Sequence, residues 1–251
     1  MLRSLKPILL ATVSLALAAC GPQLGPTWVS GPPADSAGLE FLPPSAQKGT
    51  IFKYYQPKAE SAWKGNWTRK LDLTGVSWND PRTATLIAPD VVVMAAHFSR
   101  PSNVPVMFHS KIGKPYERYI TAMKALPGSD VAVGKLNLPL PPEVKPYRLA
   151  SLVDAKIGTP VIVTDQTSTL SVHQIEAIHG SFIRFSYNDR LHPIYKRNLI
   201  VGDSGSPSFL VKNGELFLLE THTTGGPGAG PFYGSPDLQT AIRTAMAELG
   251  R

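Results

Sequence analysis

Leu199-Ile200-Val201-Gly202-Asp203-Ser204-Gly205-Ser206-Pro207 is the stretch on which the reading of this chain turns. A short apolar run stops there at a turn that presents one serine flanked by glycines. A serine hydroxyl is a poor nucleophile at neutral pH. It needs an imidazole to take its proton and a carboxylate to orient that imidazole. Acyl transfer also needs backbone donors for the oxyanion. Gly202 has no side chain to obstruct its N–H, and with the N–H of Ser204 it offers a two-donor pocket. Gly-Asp-Ser-Gly is equally the ordinary composition of a tight turn, so the weight falls on what lies upstream.

Two pieces lie there. Ala95-Ala96-His97 follows the apolar run Val91-Val92-Val93-Met94, and Ser129-Asp130-Val131-Ala132-Val133 opens another strand-like run. The order His97, Asp130, Ser204 is that of the chymotrypsin arrangement and differs from the subtilisin and α/β-hydrolase orders. Asp90, Asp154 and Asp165 are competing acids, each also readable as a turn or surface residue. Taken together, Thr85-Leu86-Ile87-Ala88-Pro89, Val92 to His97, Ser129 to Leu136 and Gly202 to Pro207 resemble the trypsin-like (chymotrypsin-fold) serine peptidases of bacterial type. The similarity runs from about Asp72 to a C-terminal helix.

That resemblance implies an all-β fold of two antiparallel six-stranded β-barrels with a C-terminal helix. It implies His97 as general base, Asp130 as buried orienting carboxylate, Ser204 as nucleophile, and Gly202 with Ser204 as oxyanion hole. It implies a polypeptide substrate and no cofactor. Phe98 stands where many animal relatives carry a cysteine. In the vertebrate digestive enzymes the aspartate equivalent to Asp203 is held by a new amino terminus. No Arg-Ile-Val-Gly-Gly-like cleavage site occurs here, so a side chain or backbone group is expected to hold Asp203. By the family's spacing Asn198 falls at the base of the substrate pocket, with Thr221, His222 and Thr223 on its far wall. A histidine on that strand resembles the glutamate-selective bacterial members; a structural histidine is the alternative.

Among the 251 residues, proline and glycine are plentiful, with 24 and 21 copies, which suits a β-rich chain with many turns. Arg3 and Lys6, an apolar segment from Pro7 to Ala19, and then Cys20 give the pattern of a secretory signal over residues 1–19. Leu17-Ala18-Ala19-Cys20 resembles the bacterial lipobox, which implies acylation of Cys20 and a place in the bacterial cell envelope, lipid-anchored and exposed outside the cytoplasm. Cys20 is the only cysteine, so no internal disulfide can form. Removing Arg3 and Lys6 takes the net charge from +7 to about +5. The basic residues are scattered and form no nucleic-acid motif, so no nucleic-acid partner is expected.

From Gly21 to Pro44 the chain is a Pro-, Gly- and Ser-rich tether, and the aromatic residues between Thr50 and Trp67 are expected to pack onto the domain. Residues 20–66 thus form tether and extension, 67–145 the first barrel, and 146–251 the second barrel with the helix. Strands are expected over Lys70 to Val76, Thr83 to Ile87, Val91 to Ala95, Val104 to Phe108, Tyr116 to Ala125 and Val131 to Leu136. The proline cluster from Pro139 to Pro146 marks the crossing. Further strands are expected over Pro160 to Thr164, Leu170 to Ile178, Phe182 to Tyr187, Pro207 to Val211 and Leu216 to Thr221. Lys212-Asn213-Gly214 signals a hairpin, and Ser235 caps a helix over Pro236 to Leu249. The other histidines lack a metal-ligand pattern, so no metal site is expected. Three functions stay open on these residues: a serine endopeptidase, an esterase using the same triad, and an inactive member of the fold acting as an envelope binding module.

Overall fold

The computed structural model describes residues 39–251. The signal segment, Cys20 and the tether up to residue 38 lie outside the described residues. Three short strands come first: β1 (Gly49–Thr50), β2 (Phe52–Tyr54) and β3 (Ala62–Trp63). They are followed by β4 (Thr85–Ala88), β5 (Val91–Ala95), β6 (Val106–His109), β7 (Pro115–Arg118), β8 (Ile120–Ala125) and β9 (Val131–Leu136). After the proline-rich crossing come β10 (Arg148–Leu149), β11 (Pro160–Thr164), β12 (Thr169–His179), β13 (Phe182–Tyr187), β14 (Pro207–Lys212), β15 (Glu215–Thr221) and β16 (Ala229–Pro231). A single α-helix among the described residues, α1 (Pro236–Glu248), ends the chain. The fold is mostly β-strand with one C-terminal helix.

In the first half an antiparallel sheet runs β4-β5-β9-β8, with β6-β7 as a separate hairpin. In the second half the order is β10-β15-β14-β11-β12-β13-β16, with β1 added onto β12. Neither set of ladders closes into a barrel. Two expected strands account for part of the difference. Residues 71–76 follow a 3₁₀ turn at Trp67–Lys70 and touch β4 only through the Val76–Thr85 bridge. The run from Tyr116 to Ala125 breaks at Tyr119, whose N–H donates to Asn137 Oδ1 (2.9 Å) and whose carbonyl accepts from Asn137 N (2.8 Å). The chain changes partner there. In the second half the far edge returns to β15 by loop bonds, Thr223 N to Ala229 O (2.9 Å) and Tyr233 N to Leu219 O (3.0 Å).

Side-chain alternation explains how the halves meet. On β5, Val92 and Met94 enter a core with Leu86, Phe108, Ile120 and Leu136, whereas Val91 and Val93 point the other way. On β11, Val161 and Val163 join a second core with Ile175, Phe185 and Leu219, whereas Ile162 points the other way. The outward sets fuse into a third core at the junction, with Phe209, Leu218, Tyr147 and Ile242 of α1. Period-two strands buried on both faces thus give each half its own interior and bind the halves to each other. The extension belongs to this junction as well: Phe41, Ile51, Phe52 and Trp67 are buried in it.

Local chemistry sets several boundaries. Asn213 and Gly214 both adopt positive φ, 54° and 76°, the conformation a two-residue hairpin between β14 and β15 requires. Pro236 opens α1 without losing a backbone bond, since first-turn N–H groups have no intrahelical partner. Ser235 occupies the cap position but makes no capping bond; its hydroxyl pairs with that of Ser181 at 2.7 Å. Among the described residues no helix is long and apolar enough to cross a membrane.

Candidate active site

β5 and β9 are neighbours in register, with Ala95 opposite Val131. His97 and Asp130 each lie just beyond that pair, so the ladder itself brings them together. Ala96 N donates to Asp130 O at 3.1 Å and extends the ladder by a step. His97 sits in a 3₁₀ turn, Ala96–Phe98, which lifts its ring out of the strand. The Asp130 carboxylate then grips it twice: Oδ1 accepts from the His97 backbone N–H (2.9 Å), and Oδ2 lies 2.6 Å from Nδ1. This pairing puts the ring proton on Nδ1 and leaves Nε2 as the basic nitrogen. Asp130 is half-buried, not buried as the resemblance implied, because it lies just outside β9, one residue before the strand begins. The exposure is offset by a third bond, from Thr223 Oγ1 to Oδ2 at 2.9 Å.

Ser204 approaches from the second half. Gly205, the next residue, has φ of +85°, and a Cβ there would lie 3.4 Å from Ala95 N and 3.5 Å from the Ala95 side chain. The turn therefore packs on the end of the strand that carries His97. It is held there by the chain that holds Asp130: Gly205 N donates to His222 O (2.8 Å) and His222 N to Ser206 O (3.0 Å), with Thr223 next in sequence. Ser204 Oγ and His97 Nε2 have no hydrogen-bond partner among the described residues. The N–H groups of Gly202 and Ser204 also have none, so the two oxyanion candidates are available as donors. Gly202 takes φ of +97°, which a side chain would strain.

Asp203 is buried and held entirely by backbone. Its Oδ2 accepts from Ile200 N (2.7 Å) and its Oδ1 from Gln166 N (3.1 Å). The competing acids are occupied elsewhere: Asp90 with Lys135 and Arg251, Asp154 with Lys212, and Asp165 with Arg197.

The four pocket residues turn to different partners. Asn198 is exposed and accepts from the Tyr187 hydroxyl at 3.1 Å, because the next residue, Leu199, bridges Gly226 and turns inward. Thr221 is buried with its hydroxyl 3.1 Å from Tyr233 OH. His222 is buried with both ring nitrogens facing oxygen: Nδ1 lies 2.6 Å from Glu220 Oε1 and Nε2 3.2 Å from Thr164 O. Its ring is engaged inside the second half. Thr223 alone of these reaches the histidine–aspartate pair.

Sequence reasoning missed two supports. Arg100, three residues after His97, is almost fully buried. Its guanidinium donates to Arg82 O, Pro105 O, Asn79 Oδ1 and Ser77 Oγ, fixing the loop behind His97, while burial lowers its pKa to about 10. His173, fully buried in β12, joins Pro227 O (2.7 Å, Nδ1) to Arg197 N (3.2 Å, Nε2); burial lowers its pKa to about 4. A neutral ring with its proton on Nδ1 satisfies both bonds. No group of His, Cys, Asp and Glu among the described residues could hold a metal ion. No family model matches this chain, and no curated protein matches it.

Proposed function

We propose that this chain is an exported serine endopeptidase of trypsin-like fold, with the two inner cores as the interiors of its two six-stranded barrels and the junction as its active-site seam. The observation that carries the proposal is the doubly held His97–Asp130 pair, tied through Thr223 to the turn that presents Ser204. In this reading a peptide carbonyl sits against Ser204 with its oxygen toward Gly202 N–H and Ser204 N–H. Ser204 Oγ attacks the carbon as its proton passes to His97 Nε2, and the imidazolium is stabilised by Asp130. The C–N bond then breaks, the amine leaves with the proton from His97, and an acyl ester remains on Ser204. Water attacks that ester with His97 again as base, releasing the acid. Acylated Cys20 holds the enzyme on a membrane of the cell envelope through the proline-rich tether.

The test is turnover of a random peptide library and of an activated ester. Wild type is expected to cleave both and Ser204→Ala neither. Ester turnover without peptide cleavage would move the assignment to an esterase. One observation favours a second, non-catalytic reading as an envelope binding module: Leu199 N to Gly226 O (2.8 Å) and Gly226 N to Leu199 O (3.0 Å) draw the two sides of the pocket region together. A folded wild type that turns over neither substrate would favour that module.

A further inference from the structure

The Val201–Gly202 peptide decides whether an oxyanion donor exists. A trans peptide holds its C=O and N–H on opposite sides, so whatever fixes the Val201 carbonyl fixes the direction of the Gly202 N–H. Here Gln166 Nε2 donates to Val201 O at 3.0 Å. The same residue's backbone N–H donates to Asp203 Oδ1, on the other side of Gly202. Its amide also lies against the Gly202 Cα: a Cβ at 202 would be 2.7 Å from Gln166 Nε2. One residue therefore grips the loop on both sides of the glycine, from the face opposite the free N–H.

The turn that carries Gln166 is itself restrained. Asp165 Oδ1 accepts from Thr167 N (2.8 Å) and Thr169 N (3.2 Å), and Asp165 Oδ2 meets Arg197 Nε at 3.0 Å. Ser168 sits at φ of 55°, and its carbonyl accepts from Ile51 N (3.0 Å), where β1 pairs with β12. The extension thus clamps the turn, the turn positions Gln166, and Gln166 aims the peptide.

We propose that Gln166 is a positioning residue that locks the Val201–Gly202 peptide with its N–H toward the substrate, so that the oxyanion site is formed in the uncut chain. The proposal rests on the hydrolase reading. It gives the site a regulation of its own: loosening the extension from β12 lowers activity, and no cleavage is needed to raise it.

The variant Gln166→Met keeps length and volume but removes the side-chain donor. Its kcat is expected to fall roughly tenfold or more, within the ~100- to 1,000-fold that complete loss of one oxyanion donor costs. KM should stay at the wild-type value and a peptide aldehyde, whose hemiacetal oxygen needs that donor, should weaken by the same factor. Amide exchange at Asp203, whose N–H is bonded to Ile200 O, should quicken by a similar factor, while the melting temperature stays close to wild type. Gly49→Ala gives an independent arm. Its methyl would overlap the Leu170 carbonyl oxygen and push β1 away, so it should shift the same quantities in the same direction with Gln166 intact. Wild-type kcat and aldehyde affinity in Gln166→Met would overturn the proposal. A wild type that takes up neither aldehyde nor phosphonate would overturn the hydrolase reading and the catalytic role together. The Asp203 exchange rate in the same variants distinguishes that case from failure of the lock itself.

Discussion

The two halves hold their parts of the site by different means. In the first half, strand register does the work: β5 and β9 are paired residue by residue, and His97 and Asp130 emerge just past the same rung. In the second half, the Ser204 turn has no ladder of its own. It is suspended between side-chain bonds from Gln166 and Asp203 on one side and the backbone of His222 on the other. A histidine anchored by backbone pairing, as His97 is, is hard to misplace. The loop that carries Gly202 and Ser204 depends on single side chains on one of its two sides, and there it can be detuned one contact at a time.

That contrast orders the expected effects of substitution. The largest concern the reacting groups, where the halves act as a unit. Ser204→Ala and His97→Ala should each lower kcat on the order of 10⁵- to 10⁶-fold, and the double variant should be scarcely worse. Additive losses in that cycle would break the idea of a single relay. Asp130→Asn should cost roughly 10⁴-fold, since an amide cannot receive the backbone and ring N–H of His97 as the carboxylate does. Steady-state kinetics on the folded variant checks this.

A stability measurement sharpens the comparison within the second half. His173 is buried with its pKa lowered to about 4, so between that value and about 6.5 the unfolded chain binds the proton and the folded chain does not. Stability therefore rises with pH across this window and is lost as pH falls through it, by up to about 3 kcal/mol. Denaturant melts from pH 7 to pH 4 should show the loss, and His173→Gln, which keeps one donor and one acceptor, should reduce it. The smallest effect concerns the link between halves. Thr223→Val removes one bond to a carboxylate that keeps two others, and kcat should fall about tenfold. An unchanged rate would show that Asp130 is positioned by the first half alone.

The sequence made the first half's contribution legible, because a histidine and an aspartate beside apolar strand runs carry both their chemistry and their register. Four strands, β5, β9, β11 and β13, have the bounds expected of them, because their apolar runs stop at turn residues. The turn at Ser204 was legible from its glycines, but its supports were not. Gln166 follows a turn aspartate with no motif around it. Thr223 was read as pocket wall, because nothing in a Thr-His-Thr run says which side chain faces Asp130. His222 carried a substrate-binding expectation that depended on the direction of its ring. Glu220, two residues earlier near the end of β15, is buried with its carboxylate 2.6 Å from the ring, which faces inward. Short strands such as β1, β10 and β16 have two or three residues each, too few for alternation to be visible, and exist through their partners.

The central claim is that His97 activates Ser204. The most direct measurement is the rate of modification by a fluorophosphonate, followed by intact mass and by mapping of the modified peptide. The account predicts a single adduct on Ser204 in wild type, none in Ser204→Ala, and a rate in His97→Ala lowered by several orders of magnitude. A folded wild type that takes up no adduct, or a His97→Ala protein modified as fast as wild type, would contradict it.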